Sequence, residues 1–283
     1  MRIESDGRGC NRRGGLRVRS REEGVMSGLH IDYSGPEDGI PLVLLHGFGG
    51  DGSAWDPVKA GLPGSVRVMA VDLPGHGGSL DADGRGGAGR MAKAILAGLD
   101  AAGIQAFHLA GHSMGGAVSA LIAMRAPERV KSLTLVAPGG MARAINADLL
   151  ARYARATTEA EIRDCLDEMS APGFVMSDAV IEHCVAARAR PGQLAALEET
   201  YQAMFPNGPE EGQGVLPADA LAALAMPVFV IWGTADTVLP CPSPSALPAS
   251  FAFSVLPELG HMLPEESPDA IIRVLGQALT SEA

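Results

Sequence analysis

Three residues of this chain have the types and the order to act together on an acyl carbon: Ser113, Asp236 and His261. Ser113 stands in Gly111-His112-Ser113-Met114-Gly115, after the apolar segment Ala106-Phe107-His108-Leu109-Ala110 and before the apolar run Gly116 to Met124. A serine between a strand and a helix, with glycine two positions away on each side, is the nucleophile-elbow pattern. The reason is steric. A strand that turns at once into a helix crowds the residues around the bend, and only very small side chains fit there. The serine is then held on strained backbone, with its hydroxyl exposed and the N–H groups of the helix start aimed at it. A chain with 36 glycines in 283 residues produces such a pentapeptide easily, so its meaning depends on partners elsewhere.

An acyl-transfer serine needs a base, a group that orients the base, and donors for the oxyanion. Asp236 lies in Trp232-Gly233-Thr234-Ala235-Asp236, just past an apolar run, and His261 lies in Leu259-Gly260-His261-Met262, before the last helical pattern. The bland alternatives are a surface carboxylate and a loop histidine, but both residues follow strands and appear in the order Ser, Asp, His. The oxyanion donors are expected to be the backbone N–H groups of Met114 and Phe48. Phe48 sits in His46-Gly47-Phe48-Gly49-Gly50. Of the other histidines, His46, His76 and His112 fall in glycine-rich turns, His108 in a strand and His183 in a helix. Those positions fit structural or pocket-wall roles better than that of the base.

The loop carrying Phe48 also offers a rival. Gly47-Phe48-Gly49-Gly50-Asp51-Gly52 matches the dinucleotide-binding G-x-G-x-x-G, and Asp72 follows at the end of the next strand. Against it, His46 directly precedes the glycines, and Ser53-Ala54-Trp55-Asp56-Pro57 is a poor start for a long supporting helix. The Ser, Asp and His downstream would also be left without a purpose. No cofactor is therefore expected, and no H-E-x-x-H or paired Cys/His cluster points to a metal.

The elements that must position these residues alternate between strand and helix. Short apolar runs at Pro41 to Leu45, Val66 to Val71, Leu133 to Val136 and Val228 to Trp232 suit strands buried on both faces. Leu29 to Ser34 and Phe251 to Val255 read as further strands, and Met91 to Leu99 and Ala270 to Leu279 as amphipathic helices. This alternation predicts an α/β fold with a mainly parallel central sheet flanked by helices. It stops between about residues 141 and 224, where Glu159–Met169, Asp178–Arg188 and Gln193–Phe205 read as helices. Thr158 and Glu161 fit a capping box for the first of them. The expected organisation is a core over 26–140 and 225–283, with a helical cap over 141–224 inserted between strands.

Hydrophobic residues make up 47% of the chain and charged residues 19%, which describes a globular protein with a substantial core. A net charge of −11 argues against nucleic acid or an anionic membrane as partner. No stretch approaches a membrane span. Residues 1–25 differ, carrying Arg2, Arg8, Arg12, Arg13, Arg17, Arg19 and Arg21 without apolar periodicity. They are expected to be a disordered basic extension, with folding beginning at Met26. Arg12-Arg13 lacks the apolar segment of an export signal. Cys10, Cys165, Cys184 and Cys241 form no framework and read as reduced thiols of a cytoplasmic protein. Monomer and homodimer both stay open.

The chain resembles the α/β-hydrolase family from about residue 28 onward. The resemblance is carried by His46-Gly47-Phe48-Gly49-Gly50, Asp72-Leu73-Pro74-Gly75-His76-Gly77, Gly111-His112-Ser113-Met114-Gly115-Gly116, Gly233 to Asp236, and Gly260-His261. It implies Ser113 as nucleophile, Asp236 as acid, His261 as general base and a small-molecule acyl substrate. Serine at 113 argues against the branches that use a carboxylate nucleophile. Within the family the sequence is most similar to the hydrolase-type domain of acetoin-dehydrogenase-associated dihydrolipoamide acetyltransferases, through His46–Asp51, Leu133–Asn146 and the character of the cap. It departs from them in showing no lipoyl domain. Lys59, Lys93 and Lys131 all lie within the hydrolase-like region, so no lipoyl-lysine is expected and the acetyltransferase name is not inherited from the resemblance. The expected reaction is hydrolysis of a carboxylic ester or thioester. Alternatives are cleavage of a carbon–carbon bond in a vinylogous diketone acid, acyl transfer, and, least favoured, a non-enzymatic interaction module. The carbon–carbon reaction needs a cation for the substrate carboxylate, with Arg143, Arg152, Arg155, Arg188 and Arg190 as candidates. Met141, Met169, Met176, Met204 and Met262 are candidates for an adaptable pocket lining.

Overall fold

The apolar runs assemble into one sheet. In the computed structural model, which describes residues 22–26 and 28–281, eight strands order as β1-β2-β4-β3-β5-β6-β7-β8. They are β1 (Glu22–Met26), β2 (Leu29–Ser34), β3 (Ile40–Leu45), β4 (Val66–Val71), β5 (Phe107–His112), β6 (Val130–Val136), β7 (Val228–Gly233) and β8 (Ala252–Leu256). Strands β3 to β8 pair in parallel, while β1–β2 and β2–β4 pair antiparallel. Every residue of β5 is buried, as are the last four of β3. That is the reason their sequences are continuous apolar runs rather than alternating ones.

Helices α1 (Asp56–Gly61), α2 (Ala88–Ala101), α3 (Met114–Arg125), α9 (Leu263–Glu266) and α10 (Pro268–Thr280) flank the sheet. α2 turns Met91, Ala92, Ile95 and Leu99 inward, and α10 turns Ala270, Ile271, Val274, Leu275 and Ala278 inward. These are the single apolar stripes of surface helices. Between β6 and β7 the described chain forms no strand. It makes α4 (Ala147–Arg155), α5 (Glu159–Met169), α6 (Asp178–Arg188), α7 (Gln193–Met204) and the short α8 (Ala218–Ala222). The capping box of Thr158 and Glu161 is formed at the start of α5.

One expectation needs correction. The segment 1–25 is not disordered throughout, because Glu22–Met26 adds to the sheet edge in register from Glu22 opposite Tyr33 to Met26 opposite Leu29. Residues 1–21, including the basic run, lie outside the described ones. The strand escapes a reading by pattern because Glu22, Glu23 and Gly24 show no apolar alternation. Its place is set by the hairpin turn at Gly28, with φ +85°, and by the ladder of β2.

The sheet brings the chemistry to one edge. Leu45 of β3 stands opposite Gly111 of β5, His112 opposite Val136 of β6, and Val136 opposite Ile231 of β7. The loops after β3, β5, β7 and β8 therefore emerge side by side at the carboxyl ends of parallel strands, where open α/β sheets bind ligands.

Candidate active site

Ser113 follows β5 with no intervening residue and takes φ 53° and ψ −118°, outside the usual regions for a side-chain-bearing residue. Such a conformation costs about 1–3 kcal/mol and persists only when its surroundings over-determine it. Here the Ser113 N–H donates to the Val136 carbonyl at 2.9 Å, and its own carbonyl accepts from Gly116, Ala117 and Gly139 at 2.9, 3.2 and 2.9 Å. The flanking glycines are required by space. A Cβ at Gly111 would lie 2.2 Å from the Gly115 carbonyl oxygen, and one at Gly115 would lie 2.3 Å from that of Leu45. The bend works only with hydrogen at both positions.

The Ser113 hydroxyl donates to His261 Nε2 at 2.9 Å, and His261 Nδ1 donates to Asp236 Oδ2 at 2.8 Å. Asp236 is itself held by the N–H groups of Val238 and Leu239, at 2.9 and 2.8 Å, and by the Trp232 indole at 3.0 Å. His261 and Asp236 are 3% and 9% exposed, so the bond between them lies out of water, while Ser113 is half-buried where the series begins. Met114 opens α3, and its N–H has no acceptor within the helix. Gly47 brings Phe48 against the elbow, since a Cβ at Gly47 would meet His112 Nδ1 at 3.1 Å and Ser113 Cβ at 3.3 Å. His46 shapes this loop from within. Its Nδ1 donates to the Gly47 carbonyl at 2.7 Å and its Nε2 accepts from the Leu73 N–H at 2.9 Å.

The backbone of His261 is fixed on every side. Its N–H donates to the Met169 carbonyl of α5 at 2.8 Å, and its carbonyl accepts from His112 Nε2 at 2.8 Å. Burial, with the nearby His261 and His46, pushes His112 down to about 3, so it stays a neutral donor. Glu266 accepts from Gly260 at 2.8 Å, Met262 at 2.9 Å and Ala171 at 3.1 Å, tying the histidine loop to the helical insertion. Reading the sequence missed Glu266, because Glu265-Glu266 at a helix start resembles ordinary charge complementing the helix dipole.

Two cavities meet at Ser113. The first, about 420 Å³, lies beneath the inserted helices and includes Ser113, His261, Met262, Asp51, His183, Arg188 and Glu265 in its wall. The second, about 360 Å³, is lined by Met114, Leu121, Ile145, Met204, Leu216 and neighbouring residues. Phe48, Ser113 and Leu150 belong to both. Met169 and Met262 line the first and Met204 the second, whereas Met141 and Met176 line neither. At the edge of the first cavity, His183 of α6 donates to Asp51 at 2.5 Å. Burial alone would raise the Asp51 carboxyl, but hydrogen bonds from His183 and Ser53 hold it well below the usual carboxylate range.

Among the five arginines considered for a substrate carboxylate, the structure brings one to the site. Arg188 is 3% exposed and in the cavity wall. Its Nη atoms reach the Cys184 and Tyr153 carbonyls at 3.3 Å, its guanidinium lies 4.4 Å from the centre of the Tyr153 ring, and its buried Nε has no hydrogen-bond partner among the described residues. Arg152 and Arg155 instead pair with Glu168 and Glu198, and Arg143 and Arg190 bond the Glu211 and Gly77 carbonyls. The dinucleotide alternative fails on geometry: Gly52–Trp55 is a single 3-10 turn followed by the six-residue α1, and Asp72 accepts from Gly52 and Gly78.

The arrangement matches a known family. Residues 40–268 fit the model of the alpha/beta hydrolase fold, and the chain belongs to that family of hydrolases. It is 35% identical over 238 residues to the dihydrolipoyllysine-residue acetyltransferase component of the acetoin cleaving system of Pseudomonas putida, across 84% of this chain and 62% of that one. The chain thus spans less than two thirds of that relative's length. It is 31% identical over 222 residues to 2-hydroxymuconate semialdehyde hydrolase of Pseudomonas putida, across 76% of this chain and 77% of the relative. In fold it is similar to the 2-hydroxy-6-oxo-6-phenylhexa-2,4-dienoate hydrolase of Rhodococcus sp. strain RHA1, with a TM-score of 0.77 and 22% identity over 93% of this chain and 100% of that one. No helix among the described residues is long and apolar enough to cross a membrane.

Proposed function

We propose that this hydrolase cleaves a carboxylic ester or thioester through an acyl-enzyme on Ser113. The observation that carries the reading is the continuous bonding from Ser113 Oγ through His261 to Asp236 at the junction of two open cavities. His261 Nε2 takes the hydroxyl proton as Ser113 Oγ bonds to the substrate carbonyl carbon. The N–H groups of Phe48 and Met114 hold the oxyanion, each worth about 3–4 kcal/mol in the transition state. His261 then gives its proton to the departing oxygen or sulfur, and the acyl bond to that atom breaks. Water repeats the sequence on the acyl-enzyme, releasing the acid and restoring Ser113. Asp236 holds the imidazole tautomer and stabilises the imidazolium throughout. Labelling with a fluorophosphonate probe is the direct test. Wild type should label and hydrolyse p-nitrophenyl acetate, and Ser113→Ala should do neither; persistent labelling of the variant would overturn the assignment.

A second reading, hydrolysis of a carbon–carbon bond in a vinylogous diketone acid, is favoured by Arg188. A buried guanidinium without a carboxylate partner among the described residues is costly, and an anionic substrate would offset that cost. The relative named 2-hydroxymuconate semialdehyde hydrolase supports the same comparison. On this reading, wild type turns over such a diketone acid faster than p-nitrophenyl acetate, and Arg188→Gln loses about 100-fold or more in kcat/KM on the acid alone. Equal losses on both substrates would remove Arg188 as a carboxylate anchor.

A further inference from the structure

The sheet has two edges, and they differ in chemistry. At one end stands β1, whose sequence opens on Glu22-Glu23. At the other stands β8, Ala252-Phe253-Ser254-Val255-Leu256, without a charge or a proline. Its pairing with β7 runs from Ala252 opposite Phe229 to Leu256 opposite Gly233 with no bulge. Proteins guard free edges with charges, prolines or bulges, because an open row of N–H and C=O groups is a template for another strand. β1 has such a guard in its sequence and β8 has none.

The lack of charge extends past the strand. From Thr237 to Pro257, 21 residues pass without Asp, Glu, Lys or Arg, in a chain of net charge −11. This run is not simply core: Pro244, Ser245, Ala249, Ser250 and Ser254 are exposed, and Val255 is 41% exposed. Two copies of a strongly acidic chain repel one another over most of their surfaces. They approach with least repulsion along a strip that carries no charge.

The backbone of β8 sets how a second copy would lie. The N–H and C=O of one strand residue point to the same side, and successive residues alternate. The Leu256 carbonyl accepts from the Thr234 N–H at 3.0 Å, so Ala252, Ser254 and Leu256 face β7, and Phe253 and Val255 present their backbone groups outward. Among the described residues those outward groups have no partner. The positions beyond them are closed, since the Phe251 N–H donates to the Pro248 carbonyl at 3.0 Å and Pro257 has no N–H. A two-fold axis perpendicular to the sheet at Ser254 fits these limits. It sets Phe253 of each copy opposite Val255 of the other, exchanging both hydrogen bonds, with Ser254 opposite itself as the close, non-bonded pair. The half-buried Phe253 ring then meets an exposed Val255 side chain across the strands, a favourable aromatic and β-branched pair.

We propose that β8 is a homodimer interface, at which two copies pair their β8 strands antiparallel about Ser254 and join their sheets into one. No residue of β8 lines either cavity at Ser113, so the proposal stands apart from the reading of the active site. A strand pair alone buries less than the roughly 1,200 Å² of a stable interface, and the uncharged segment leading into β8 extends the surface.

Sedimentation velocity over a wide range of protein concentration tests the assembly. Wild type should form dimers, and added salt should tighten them by screening the net repulsion, whereas an interface built on ion pairs would loosen. Ser254→Cys should cross-link to its own copy under mild oxidation, because a non-bonded pair lies about 4.5 Å apart at Cα, within the span of a disulfide. Ser250→Cys, remote from its own copy in this register, should not. Val255→Lys and Ser254→Asp should each raise the dimer dissociation constant about tenfold or more, with an unchanged circular dichroism spectrum. The interface is overturned by a wild type that stays monomeric throughout, by dimers that loosen with salt, or by Ser250→Cys cross-linking as readily as Ser254→Cys. Dimers as tight as wild type in both charged variants would overturn it as well.

Discussion

The energy stored at Ser113 is small beside the constraints that hold it. A positive φ of 53° at a serine is unfavourable, and four backbone hydrogen bonds to its N–H and carbonyl leave it no alternative. The same economy governs His261, whose ring does the proton transfer in the proposed reaction while its backbone is pinned by Met169, His112 and Glu266. Removing Glu266 leaves three N–H donors without their acceptor, and a misplacement of the imidazole by about 1 Å is enough to cost roughly 100-fold in rate. Glu266→Ala should therefore lower kcat by about 10- to 100-fold. The fluorophosphonate labelling rate should fall in parallel, with KM moving less. An unchanged labelling rate would show that the loop holds its geometry without the carboxylate. Ser113, Asp236 and His261 were readable because each needs a particular neighbourhood: tight glycines, a strand end, a loop before a helix. Glu266 was not singled out, and Arg188 stood only as one of five candidate arginines, because their places are made by residues distant in sequence, Ala171 for one and the Tyr153 ring for the other.

Among the elements, the strands of the core match their apolar runs because a strand buried on both faces must be apolar throughout. The helices α5 and α6 keep the bounds read from the sequence, each opened by a hydrogen-bonded cap, at Thr158 and Ser177. Two elements were less legible. α4 is a short helix in which Leu149, Leu150, Tyr153 and Ala154 are buried, and its start was marked by Asn146, whose side chain accepts from Leu149 at 3.1 Å. Asn-Ala-Asp reads equally well as a turn, and it becomes a cap only when the helices around it bury its apolar face. β1 lacks even that signal, and exists because β2 presents an unpaired edge. The insertion then meets the core through specific polar contacts: Gln193 to the Gly75 carbonyl at 2.9 Å, Arg190 to that of Gly77 at 2.5 Å, and Thr237 to that of Glu168 at 2.5 Å. These bonds seat the helices over the strand ends, and the two cavities are the space that remains.

For the whole molecule, buried neutral histidines set the response to acid. Burial, with the nearby His46, pushes His76 down to about 3, as burial does His112. Both would titrate near their ordinary value of about 6.5 once unfolded. The unfolded chain thus binds more protons at these two sites, so the stability His76 and His112 contribute is full above about pH 6.5 and is lost as pH falls toward 3. Urea melts from pH 7 to pH 4 should show a falling midpoint at constant slope, and His112→Asn should flatten part of that fall; a midpoint independent of pH would refute the account. By itself the sequence determined the layered fold, the order of the strands' chemistry and the three residues proposed to act at the acyl carbon. Those features follow from local sterics and from burial patterns that repeat along the chain. The tertiary structure decided which of five arginines enters the site, which carboxylate braces His261, and how the space around Ser113 divides into two cavities. Each of those depends on surfaces brought together from distant parts of the chain, and no spacing within the sequence encodes them.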